Sequence, residues 1–217
     1  MPLHVPLLVH GVTIDTYIFL DAPVSELNSK ATGLAAFLFR MPPRHVQMAL
    51  ANYRIFVIKD KPARGHGGGT WRPGEVRDAF WNKIAVTGVS NEDIQSLVLD
   101  AGKGLIGIPQ DRWHRSLNLL KFTVLHEAGH TVDYALGLTP AGVSVNDYRG
   151  VTPACGAGSL VARRAVEAYA RYVLVPSRIC RDIVPGEAAR ECNRRIISLL
   201  RRSPAFVSVP PSWTPGQ

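Results

Sequence analysis

Cysteine is too scarce in this chain for a disulfide-stapled scaffold: there are three, Cys155, Cys180 and Cys192, among 217 residues. Small secreted folds held by bridges carry more, in even number. A Cys180–Cys192 bridge is open in an oxidising compartment, but free thiols are the expectation. No Cys-x-x-Cys pair occurs, so a thiolate zinc site has no support. Long hydrophobic runs are missing as well. The longest, such as Gly33–Phe39, fall far short of the ~20 residues needed to cross a bilayer, so no membrane span is expected. The N-terminal stretch lacks a leading basic region, and Pro6 and His10 interrupt its apolar residues. A secretory leader is therefore not expected; the localisation is cytoplasmic or reached by an export route that needs none.

Acidic charge is in deficit. Lys and Arg number 25 against 17 Asp and Glu, a net charge of +8. The excess is mostly arginine and crowds into the C-terminal third, from Arg163 to Arg202. Aromatic residues are only 8% of the chain and are not interleaved with these arginines as stacking platforms would be. A nucleic-acid partner is accordingly not expected. An acidic partner on the arginine-rich C-terminal helices remains open beside the plainer reading of a solvated face.

What the chain does have is enough apolar material for one core, 46% of residues. A strand is expected around Thr13–Leu20, a helix over Val24–Arg40 that stops at Met41-Pro42-Pro43, and a further helical stretch over Pro43–Tyr53. Arg54–Lys59, Lys83–Val89 and Gly104–Ile108 read as strands. Lys61–Glu75, with Gly65-His66-Gly67-Gly68-Gly69, reads as a loop; it lacks the helix, Lys and Ser/Thr of a phosphate-binding loop. Ser116 is a suitable N-cap for a helix over Leu117–Leu136, closed by Gly137 and Pro140. Thr139–Gly158 is a loop, followed by helices over Ser159–Leu174 and Gly186–Arg202. The fold class is thus α+β. Residues 1–203 form one domain with its core at about 40–175, and 204–217 is a Pro-rich tail, extended or disordered.

Chemistry concentrates in His126-Glu127-Ala128-Gly129-His130. Two histidines four residues apart on a helix share one face, one turn apart, and can chelate a single zinc ion. Glu127, beside the first of them, is placed to act as general base toward a zinc-bound water. A catalytic zinc needs a third protein ligand and an open position. Glu167, on the following helix, is the leading candidate, with small Ala168 and Ala170 beside it for close helix packing. The plainer alternative pairs Glu167 with Arg163, Arg164 or Arg171 on a solvated face. Asp133 is a rival ligand, better suited to orienting a histidine or a backbone group; His114, Asp111 and Asp147 are weaker. Gly129, a poor helix residue, would let another backbone or a substrate strand pass close. The oxyanion of amide hydrolysis asks for a further donor. Tyr148, in the loop between the two helices, is the first choice, ahead of Tyr169, Tyr172 and His66.

Three stretches carry a family resemblance. The His-Glu-x-x-His residues with a later glutamate resemble the zincin metallopeptidases and, within them, the gluzincins; Leu125-His126-Glu127-Ala128-Gly129-His130-Thr131-Val132-Asp133 looks like the Leu-His-Glu-x-Gly-His-x-x-Asp of the anthrax lethal factor group. Glu167-Ala168-Tyr169-Ala170 is similar to the Glu-x-x-Ala of that group, and Met41–Val46 leading into Arg54–Lys59 is a looser match. Within the zincins the chain looks like the anthrax lethal factor catalytic domain and the Pro-Pro endopeptidases, over roughly residues 40–175. That resemblance implies a zincin-like fold, a small mixed sheet packed on the metal-bearing helix with further C-terminal helices. It implies a metalloendopeptidase holding one zinc per chain on His126, His130 and Glu167, and a secreted or injected bacterial effector acting on peptide or protein. The chain departs from the group at Leu160, where the group has a tyrosine. The expectation is therefore a zinc peptidase whose sheet edge, Gly104–Ile108, takes an extended peptide. The alternatives are a zinc hydrolase of a non-protein amide, such as a cell-wall amidase or toxin, and a catalytically silent basic binding module.

Overall fold

A computed structural model describes residues 2–58, 69–74, 102–114, 117–154 and 158–215. The expected strand at Lys83–Val89, the N-cap Ser116 and His66 lie outside them. The chain opens with a hairpin of β1 (Leu3–Val9) and β2 (Val12–Ile18). Its two-residue turn, His10-Gly11, has φ of 47° and 78°, the left-handed pair that matches strand twist. Of the two strands only β2 was expected from the sequence, as Thr13–Leu20; β1 alternates too weakly, its outer face being exposed. Helix α1 (Val24–Leu38) crosses over the hairpin and leads through α2 (Pro43–Met48) to β3 (Tyr53–Ile58). The second expected helix therefore stops earlier than Tyr53. A 3-10 turn at Leu50–Asn52 takes its place, because Asn52 donates back to Ala49 rather than one residue further.

The sheet has the order β1-β2-β3-β5-β4, where β4 is Gly69–Trp71 and β5 is Gly104–Pro109. The three inner strands run parallel and both outer pairs are antiparallel. Two expectations are corrected here. Gly69–Trp71 belongs to the sheet and not to a loop, since a three-residue strand leaves no readable alternation. Gly104–Pro109 is not the edge: β4 covers it, pairing Gly69 with Gly107 and Trp71 with Leu105. Strand β5 is buried along its whole length, as an interior strand should be.

Helices α3 (Gln110–His114) and α4 (Leu117–Leu136) follow, then α5 (Leu160–Leu174) and α6 (Glu187–Arg201). Ser159 caps α5, accepting the Ala162 N–H at 3.2 Å. Every residue of α5 from Ala165 to Val173 is buried, which makes it the central helix of the non-sheet layer. Helix α4 lies between α5 and the sheet, touching β4 and β5 on one side. No helix among the described residues is long and apolar enough to cross a membrane.

Two further readings are overturned. Cys180 and Cys192 are disulfide-bonded, with Cα atoms 6.2 Å apart. The turn before α6 brings them together, and Asn193 fixes that turn by accepting the Cys180 N–H at 2.9 Å and donating to the Ser177 carbonyl. An odd cysteine count says nothing of such proximity. The tail is also not loose. Ala205 N–H donates to the Gly137 carbonyl at 3.0 Å, and Ala205, Phe206 and Val209 are buried. Arg201 lies over the rings of Tyr172, Phe206 and Trp213 at 5.5–5.7 Å. The apolar anchors between the prolines outweigh the chain-stiffening that the prolines suggest alone.

His45 ties the tail to the interior. It is wholly buried; its Nε2–H donates to the Ala205 carbonyl at 2.8 Å, and its Nδ1 accepts the Tyr169 hydroxyl at 2.9 Å. Both nitrogens are thus used by the neutral ring. Burial, with a smaller push from Arg44, lowers its pKa to about 4 from an ordinary 6.5. The unfolded chain therefore takes the proton first as pH falls, and stability is lost between pH 6.5 and 4. Urea unfolding across that window should show a falling midpoint in the parent chain and a shallower fall in His45→Gln.

Candidate metal centre

Helix α4 places its site residues by burying one face. Leu120, Val124, Leu125, Ala128 and Val132 point into the core, and this fixes the rotation that carries His126 and His130 toward α5. The two imidazole centroids are 5.0 Å apart, with ring planes at 82°. Helix α5 approaches closely because position 129 has no side chain. A Cβ there would stand 3.2 Å from both Val166 Cγ1 and Tyr169 Cδ1 and 3.5 Å from the Val166 carbonyl oxygen. Gly129 thus admits a neighbouring helix rather than a substrate strand.

That close approach delivers Glu167. Its carboxylate is wholly buried, and Oε2 lies 3.2 Å from Nδ1 of His126. The other oxygen, Oε1, accepts from Arg171 Nε at 2.8 Å and from Nη2 in the same fork. Burial alone would raise the Glu167 pKa; the hydrogen bond and charge of His126, joined by Arg171, outweigh it and hold the group below its ordinary value. His130 is held neutral: burial and then His126 lower its pKa to about 3, against a raising pull from Glu167. A neutral imidazole and an ionised carboxylate are the forms that bind a metal.

Glu127 is also buried. Its Oε2 accepts the Thr70 hydroxyl at 2.7 Å, and the same hydroxyl is 3.1 Å from the Glu127 carbonyl oxygen. Strand β4, outermost of the sheet among the described residues, is therefore pinned to α4 at the residue next to His126. Burial raises the Glu127 pKa, with His126 and Thr70 pulling it back. A carboxyl poised upward in this way suits proton transfer.

Other expected residues fall elsewhere. Tyr148 is wholly buried, its hydroxyl 3.5 Å from the Leu138 carbonyl oxygen. Leu138 lies past the end of α4, and His130 is about 9 Å of helical rise short of that end. Tyr148 is a packing residue at the base of the helix, not an oxyanion donor above the histidines. Tyr169 is committed to His45, and Tyr172 accepts from Arg201 Nε at 3.0 Å. Asp133 accepts the Leu138 N–H at 2.9 Å, closing the C-terminal end of α4 as a backbone-orienting group. Asp147 caps its own 3-10 turn through Ser144, and His114 is exposed at the end of α3. Beside His130, Tyr134 stacks on the imidazole at 6.0 Å and carries the Arg72 guanidinium 4.2 Å from its centroid.

The donor set fits zinc in kind: two imidazoles and one carboxylate, the composition of an open catalytic site. The His126–Glu167 separation of 3.2 Å matches the edge of a tetrahedron with bonds of ~2.0–2.1 Å, which is about 3.3–3.4 Å. Among the described residues, however, no three such side chains are already gathered at one centre. Metal binding therefore requires side-chain adjustment, for which the soft outer torsion of an imidazole leaves room.

Sequence reasoning missed Thr70 and His45 and placed Arg171 differently. Thr70 sits after a glycine run with no local signal toward Glu127. Arg171 is legible as an i,i+4 partner of Glu167, yet both are buried, not solvated. Comparison of the chain with protein-family profiles, with curated proteins and with solved structures finds no match.

The contact at Gly129 generates a stability expectation. Gly129→Ala gains helix propensity of ~1 kcal/mol and loses a similar amount to crowding, so urea unfolding should place it within about 1 kcal/mol of the parent. Gly129→Val must push α5 away and should cost about 2–3 kcal/mol.

Proposed function

We propose that this chain is a zinc-dependent metallopeptidase of zincin type, resembling the gluzincins. The carrying observation is the position of Glu167. A carboxylate from a separate helix is buried with one oxygen 3.2 Å from His126, on the face of α4 that also carries His130. Nothing in simple packing favours burying a charged carboxyl there, since its desolvation must be offset by partners. His126, His130 and Glu167 would hold one zinc ion, which supplies Lewis-acid polarisation of the scissile carbonyl and of the attacking water.

The remaining steps belong to the protein. Thr70 occupies Oε2 of Glu127, leaving the other carboxylate oxygen to take a proton from the attacking water. Glu127 then passes that proton to the leaving amine. Low polarity around Glu127 strengthens the first transfer, because a raised pKa makes its carboxylate a better base toward water. Edge strand β4, three residues long and fixed to Glu127 by Thr70, is the sheet margin nearest this group; an extended peptide laid along it would meet the reactive pair. Whether the amide belongs to a protein or to another polymer is set by groups outside this centre. A peptide substrate is the reading adopted because the sheet margin is adjacent.

A second reading has one observation in its favour. Arg171 already balances the charge of Glu167, so the cluster can stand as a metal-free ion pair in a silent binding module. Metal content separates the two. The peptidase reading expects one zinc per purified, zinc-equilibrated chain by elemental analysis, lost in Glu167→Ala. Glu127→Ala should keep its zinc while cleavage of an internally quenched peptide library falls about 10²–10⁴-fold. A parent chain without zinc supports the silent module.

A further inference from the structure

On Oε1 of Glu167, the carboxylate oxygen that does not face His126, the structure places a buried cation. Arg171 donates through Nε and Nη2 to Oε1 of Glu167, and through Nη1 to the Ile179 carbonyl oxygen at 3.3 Å. Its guanidinium also stands 5.8 Å from the ring centroid of Phe122, the same ring that lies 5.8 Å from the His126 imidazole. The guanidinium is thus fixed on three sides, and its fork can be satisfied in one orientation only. The Ile179 end is itself held firmly, since the next residue, Cys180, is in the disulfide and bonded to Asn193.

We propose that Arg171 is a positioning residue that grips Oε1 of Glu167 and presents Oε2 alone to a metal ion shared with the histidines. The inference rests on the zinc reading of this centre. A positive charge near a divalent cation weakens binding by simple repulsion, so the charge of the guanidinium does not by itself favour metal binding. Positioning does. A glutamate side chain is long and rotamer-rich, and gripping one oxygen removes that freedom before the ion arrives. It also denies the ion a two-oxygen grip, which keeps a coordination position for water or substrate.

Lysine at 171 separates the two effects, because it retains the charge and loses the fork. The experiment measures zinc affinity of the full chain by competition with a chromophoric chelator, for the parent and Arg171→Lys, with far-UV circular dichroism as the check on folding. The expected result is a dissociation constant 10–100-fold larger in Arg171→Lys. A value within threefold of the parent overturns the inference while leaving the zinc reading intact. A parent that takes up no zinc overturns the zinc reading and this inference with it. A second measurement needs no variant to fold: the Arg171 Nε–H signal of the 15N-labelled parent should stay protected from solvent exchange when zinc is added. Its collapse on zinc binding would mean that the fork lets go, contrary to the proposal.

Discussion

One buried carboxylate organises this molecule. Glu167 lies between His126 on one helix and Arg171 one turn along its own, with no solvent to share its charge. In a dry helix–helix seam a charge of either sign is costly unless it is met by partners of good geometry. Glu167 is buried where α4 and α5 approach within contact at Gly129. A larger residue at 129 would open the gap and with it the reason for the pairing. The close approach, the buried acid and its contacts with His126 and Arg171 are therefore one constraint seen three ways.

The rest of the fold supports that seam from outside. On the sheet side, Thr70 fastens β4 to α4 at Glu127, so the edge of the sheet and the base share one anchor. On the far side, Tyr169, whose ring bounds the Gly129 contact, is held by His45. His45 in turn holds the Ala205 carbonyl, and the tail closes the end of α4 through Gly137. Arg171 extends the same support to the turn that the disulfide and Asn193 secure. Most of these supports end on a backbone carbonyl or a buried aromatic, groups with little freedom to yield.

Much of this was legible in the sequence, for physical reasons. The α4 boundaries follow from the sequence signals of Ser116 before it and Gly137 and Pro140 after it, and α5 begins at its serine cap and ends before Pro176. Glu167 could be singled out because small residues flank it on a helix following the histidine pair. What stayed hidden depends on contacts far apart in the chain. A three-residue strand such as β4 has no period to detect, and its Thr70 reaches a residue more than fifty positions away. The Cys180–Cys192 bridge needs the turn before α6, which no spacing rule fixes. The tail's order comes from Phe206 and Trp213 meeting Arg201 and Tyr172, while its prolines suggested the opposite. Tyr148 was misjudged for the same reason: a loop residue in sequence, it is a core residue in space.

The account stands on His126, His130 and Glu167 meeting at a single divalent cation. Diffraction from zinc-soaked crystals, collected on both sides of the zinc absorption edge, tests this most directly. The prediction is one strong anomalous peak within ~2.0–2.2 Å of a ring nitrogen of each histidine and of Glu167 Oε2. A map with no peak there, and Glu167 still shared between His126 and Arg171, would contradict it.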